Sequence, residues 1–134
     1  MDAHSYLEAI KLKLAGSPIV KSVAIVQERA SWDHGFFRAR LILNHDEFVE
    51  VTEYFVVAKG RVETVEYRYQ WMDSTQQHLR RRWDNAEHYP DLPHFPHHIH
   101  VTEEKDVRPG RSLGTIEVID VIARELTVMF GDDE

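Results

Sequence analysis

Cysteine is absent from the 134-residue chain. That excludes disulfide frameworks, thiolate zinc centres, iron–sulfur clusters and cysteine nucleophiles. Long apolar runs are missing too: stretches such as Phe55–Ala58 fall far short of the roughly 20 residues a bilayer requires. The start, Met1-Asp2-Ala3-His4-Ser5, carries neither the basic nor the apolar region of a secretory signal, so cytoplasmic residence is expected. There is no glycine-rich phosphate loop, no G-x-S-x-G, no H-E-x-x-H and no helix-turn-helix signature. Nor is there a surplus of positive charge. A net charge of −7 and a pI near 5.7 weigh against broad, non-specific nucleic-acid binding, while leaving room for a local basic patch.

The rest is ordinary for a folded chain. Apolar residues at 43% and charged residues at 29% give a composition that folds rather than one that stays disordered. The length predicts a single domain over 1–134 that buries a core without covalent staples. Histidine is the anomaly. Five of the nine fall between His88 and His100.

Ala3, Tyr6, Leu7, Ile10 and Leu14 mark one face of a 3.6-residue repeat, and Gly16 and Pro18 stop it, predicting an N-terminal helix. Period two follows. Val20–Arg29 is rich in β-branched residues, and Phe37, Ala39, Leu41 and Leu43 alternate with Arg38 and Arg40. Val49, Val51, Phe55 and Val57 share a face, as do Val65, Tyr67, Tyr69 and Trp71; a shorter strand covers about Gln77–Trp83. Turn-like clusters separate these runs, so about five strands form an antiparallel meander. From Asp84 to about Arg111 the periodicity vanishes. Four of the five prolines lie there, which disfavours a central strand and leaves only His98–Thr102 as a short edge strand. Leu113–Phe130 reads as a C-terminal helix, and the tail Asp132-Asp133-Glu134 as frayed. The expected fold is α+β, with both helices on one face of the sheet.

Chemistry concentrates between Arg80 and His100. Four readings fit. Neighbouring imidazoles of His88, His97, His98 and His100 suit proton transfer near neutrality, with Arg80 and Arg82 holding phosphate and Asp84 and Asn85 orienting the histidines. RNA cleavage needs only such parts, because the 2′-hydroxyl is its own nucleophile. Alternatively, His98 and His100 share a strand face and, with Asp84, Asp91 or another histidine, make a set suited to zinc or iron. A structural reading has the histidines satisfying backbone groups and Phe95 plugging the core. The last reading is a recognition loop for an acidic or phosphate-bearing partner, without turnover. Of these, proton transfer without a metal or other cofactor is the reading adopted. Elsewhere, Glu53 shares the apolar face of Val51 and Phe55, which predicts a sheet edge or bulge there, or else a buried partner. Arg38, Arg40, Glu50, Glu66 and Arg68 read as cross-strand pairs on a solvated face.

The run Tyr67-Arg68-Tyr69-Gln70, then Arg82-Trp83-Asp84-Asn85-Ala86-Glu87-His88-Tyr89-Pro90-Asp91-Leu92-Pro93-His94-Phe95-Pro96-His97-His98-Ile99-His100, resembles the TumE family. That family is described as the toxin component of small bacterial and archaeal toxin–antitoxin modules. Glu87, Tyr89, His94 and Ile99 depart from its usual pattern, which reads proline, histidine, threonine and lysine there. The resemblance implies the toxin of a two-component module, with a cognate antitoxin expected to be a small DNA-binding protein; action on RNA or on translation is the expectation that the histidines and arginines add to it. It does not fix the oligomeric state; a homodimer remains open.

Overall fold

The computed structural model describes residues 1–131; the tail Asp132–Glu134 lies outside them. Helix α1 (Ala3–Gly16) starts where Asp2 accepts a hydrogen bond from the Ser5 backbone N–H at 2.7 Å, the usual role of an N-cap carboxylate. Its five predicted inward residues, Ala3, Tyr6, Leu7, Ile10 and Leu14, are all buried.

Seven strands follow: β1 (Val20–Ala30), β2 (His34–Leu43), β3 (Phe48–Ala58), β4 (Arg61–Met72), β5 (Leu79–Asp84), β6 (His98–Val101) and β7 (Val107–Pro109). Each pairs antiparallel with its chain neighbour, so the sheet order is the chain order. Helix α2 (Thr115–Phe130) closes the described chain. Both helices pack on one face, where Ile10, Leu14, Val118, Ile119, Ile122 and Leu126 join the inward rows of β2 to β5 in one core.

The α+β meander is as expected, but it has seven strands rather than five. Of the two beyond the five, β6 falls on the short strand expected over His98–Thr102, while β7 spans three residues, too few for alternation to register. Nor is β6 an edge strand, since β7 covers its free side. Pro109 ends β7 at the true edge, where a missing N–H costs nothing.

Two bulges also re-aim predicted side chains. On β4, the pairing jumps from Glu66 opposite Tyr54 to Thr64 opposite Phe55, which leaves Val65 unpaired and 44% exposed rather than inward. On β5, Arg81 pairs with Trp71 but Leu79 with Met72, so Arg80 is the extra residue. The strand also begins later than expected and includes Asp84.

Glu53 is at neither an edge nor a bulge of its own strand. It is fully buried in β3 and accepts from Tyr6 Oη (2.8 Å), Thr64 Oγ1 (2.7 Å), and the Thr115 amide (2.8 Å) and hydroxyl (2.7 Å). This carboxylate ties α1, β4 and the start of α2 together, where the helix dipole also favours negative charge. Burial and Glu53 push the Tyr6 phenol far above its ordinary range. Gly114 is required here, because a Cβ would lie 2.7 Å from Tyr6 Oη.

Candidate active site

The face of the sheet without helices carries the chemistry. Register builds it: Arg68 stands opposite Asp84, and Asp84 opposite His98, while Gln70 stands opposite Arg82, and Arg82 opposite His100. Two cross-strand rows therefore present six polar side chains on one patch of β4, β5 and β6. Four of them, Arg82, Asp84, His98 and His100, are buried.

Asp84, His98 and His100 form the centre, with one potential ligand atom from each lying within 4.8 Å of the others. His98 Nε2 stands 2.8 Å from Asp84 Oδ1, and His100 Nε2 is 3.8 Å from Asp84 Oδ2. Both rings are held from behind. His98 Nδ1 meets the Pro96 carbonyl at 2.9 Å, and His100 Nδ1 meets the Glu104 carbonyl at 2.7 Å. A carbonyl oxygen only accepts, so each Nδ1 carries the hydrogen. Gly110 packs against the His98 backbone so closely that a Cβ would sit 3.2 Å from it.

Arg82 donates to Asp84 Oδ2 at 3.2 Å and forms a two-pronged pair with Glu104. That pairing raises the Arg82 pKa and holds the Glu104 carboxyl below its ordinary range. The Tyr89 ring lies edge-on over the two histidines, with centroids 4.9 Å from His98 and 6.0 Å from His100. The exposed His88 contacts the Tyr89 ring in turn. Above the cluster lies an open cleft of about 840 Å³, walled by Arg68, Arg82, His88, Tyr89 and Glu104. It meets a second hollow of about 470 Å³ at Glu66, Tyr67 and Arg68; Arg29, Phe36, Arg38 and Tyr54 line that hollow. Arg38 and Arg40 pair with Glu50 on the same face, the cross-strand arrangement expected of it.

A family model described as Toxin TumE matches residues 8–129. This chain belongs to the TumE toxin family. The matched stretch contains the whole sheet and every residue of the patch, and membership gives the chain a toxin-like function. No curated protein and no solved structure gave a match.

Not all the residues expected to cooperate in this TumE-family chain come together. Arg80 leaves the patch: the bulge turns it to Glu47, a buried carboxylate that it meets at 2.7 Å and that also accepts from Trp71 Nε1 at 3.1 Å. His97 is on the opposite face by simple alternation. Its Nδ1 meets Tyr67 Oη at 2.9 Å, and burial followed by the neighbouring histidines lowers its pKa. Asn85 contacts the backbone instead of a histidine, donating to the Val65 carbonyl at 2.9 Å and accepting from the Tyr67 amide at 3.1 Å. It extends the β4–β5 ladder past Asp84. Asp91 is outside the three-residue cluster, and Phe95 is 39% exposed rather than a core plug.

The sequence reading missed Tyr89, Gln70 and Glu104 as parts of the site. Period two over Tyr67–Trp71 marks Gln70 as opposite to the aromatic row, which was a usable signal. Glu104 lies in an aperiodic turn and gives none.

Proposed function

We propose that this TumE-family chain acts as a toxin by cleaving RNA in the cleft above Asp84, His98 and His100. The observation that carries the reading is the continuity of this buried cluster with a hollow on the helix-free face, where Arg38 and Arg82 are paired with Glu50 and Glu104 while Arg29 and Arg68 stand in no ion pair among the described residues. Such a face suits a single strand. Arg68 donates to the neutral Gln70 rather than to a carboxylate, so its charge is available to phosphate. Phe36 and Tyr54 offer rings against which bases can stack.

In the reaction, the 2′-oxygen attacks phosphorus and the P–O5′ bond breaks, leaving a 2′,3′-cyclic phosphate. A base takes the 2′ proton and an acid returns one to the 5′ oxygen. His88 is the solvent-facing imidazole of the cleft and suits proton transfer, while the buried cluster faces the developing charge. The partner is an antitoxin, a small DNA-binding protein that covers this cleft. Substrate and partner both place the activity in the cytoplasm.

Purified full-length protein incubated with total RNA tests the proposal, with His100→Ala checked for folding by circular dichroism. Fragmentation by the wild type and intact RNA with the folded variant are expected. Growth arrest on induction with RNA left intact would overturn cleavage in favour of a binding toxin. Co-purification with the neighbouring gene product tests the antitoxin.

A further inference from the structure

We infer that Asp84, His98 and His100 hold a divalent first-row transition cation. The ion site stands on geometry alone; only its consequence for catalysis rests on the RNA reading.

The reasoning begins with the tautomers. Each Nδ1–H is committed to a carbonyl, so in the neutral rings each Nε2 presents a bare lone pair. Both lone pairs lie near one carboxylate. His98 Nε2 is 2.8 Å from Asp84 Oδ1, yet it is not aligned as a hydrogen bond and finds no other hydrogen-bond partner among the described residues. Its residue is only 2% exposed. A buried lone pair facing a carboxylate oxygen at that distance is repulsive, so a positive charge belongs at this point, either a proton on Nε2 or a metal ion shared by the two ligand atoms once they part by a few tenths of an ångström.

The donor chemistry fits. Two imidazole nitrogens and one carboxylate oxygen are the ligands zinc and iron(II) accept, with positions left open for water or substrate. Ligand atoms around one such ion stand roughly 3–3.5 Å apart, given bonds of about 2.0–2.2 Å. The observed set, within 4.8 Å, reaches that span by small side-chain rotations. Carbonyl acceptors behind both Nδ1 atoms are the usual outer support of a histidine ligand. Asp84 already accepts from Arg82 at Oδ2 and from the Ala86 amide at Oδ1 (3.0 Å), and Arg68 stands opposite it across the ladder; each carboxylate oxygen keeps a second lone pair for the ion, and the Glu104 pair offsets the charge of Arg82. The cleft above supplies an entry path.

In the RNA reading the ion would stabilise the charge on the phosphate oxygens, and His98 and His100 would then not be proton carriers.

The test uses the full chain without a histidine tag, stripped by chelator and titrated calorimetrically with Zn²⁺. One ion per chain is expected. Asp84→Asn, His98→Ala or His100→Ala should weaken binding roughly tenfold or more, whereas the exposed His78→Ala should not. Nitrogen-15 spectra of the wild-type imidazoles give a readout that no folding defect can confuse. Zn²⁺ should move the Nε2 signals of His98 and His100 and leave their Nδ1–H signals protonated. No saturable site, or binding that survives all three cluster variants and is an adventitious ion only, would overturn the inference. Zn²⁺ bound at the cluster with RNA untouched would overturn the RNA reading and leave the ion site standing.

Discussion

Glu53 accepts both the backbone N–H and the hydroxyl of Thr115, a residue 62 positions further along the chain. The same carboxylate also receives Tyr6 and Thr64, so removing it strands donors on three elements, those of Tyr6 and Thr115 being buried. Glu53→Ala is expected to cost roughly 2–4 kcal/mol, since each unpaired buried group costs about 1–3 kcal/mol and partial rearrangement recovers some of it. Urea unfolding measures this directly. A loss below about 0.5 kcal/mol, the scale of an ordinary surface change, would contradict the role given to the residue.

Arg80 and Arg68 should separate cleanly. Arg80→Ala leaves Glu47 buried without its cation and is expected to cost about 1–3 kcal/mol of stability, discounted because the arginine is about one-third exposed. RNA affinity should hardly change. Arg68→Ala should do the reverse, leaving stability almost intact while weakening RNA binding several-fold and lowering its salt dependence by about one counterion. Filter binding across a salt series, together with thermal unfolding of both variants, distinguishes them.

Tyr89 covers the two cluster histidines edge-on. Replacing it with alanine should cost about 1 kcal/mol from the lost ring contacts and make His98 and His100 more accessible to diethyl pyrocarbonate. Tyr89→Phe keeps the ring and should behave like the wild type in both measurements. Equal modification rates in all three proteins would show that the ring shields nothing.

Asp2 gives a pH dependence with a definite sign. Its bond from Ser5 holds the carboxyl below the ordinary 3.8, so the cap contributes stability above that value and loses it as pH falls through the lower folded value. The difference in thermal midpoint between wild type and Asp2→Ala should therefore be constant near neutrality and close below about pH 4. A gap that widens in acid would reverse the assignment.

Much of the scaffold was legible in the residues themselves. The repeat in α1 named its five buried side chains, and the alternation in β2 and β3 named the buried apolar side chains of those two strands. What the pattern hid has physical causes. Strands of three or four residues carry no detectable period, which concealed β7 and made β6 look like an edge. Bulges at Val65 and Arg80 break alternation without a sequence mark, and the second took Arg80 out of the candidate site. His98 and His100, two apart, were correctly put on one side, and the same rule removes His97. The partners of Glu53 come from three distant segments, so only the folded chain brings them together.

The neighbour-to-neighbour pairing of the sheet also sets an order of assembly. Each hairpin closes a short loop, so β1 to β3 can pair as soon as they leave the ribosome. The reactive patch needs Arg68, Asp84 and His100 together, and those residues span β4 to β6. A nascent chain shorter than about 100 residues therefore carries a growing sheet but no centre. In a chain of a toxin family, the candidate site is therefore among the last parts of the sheet to be completed.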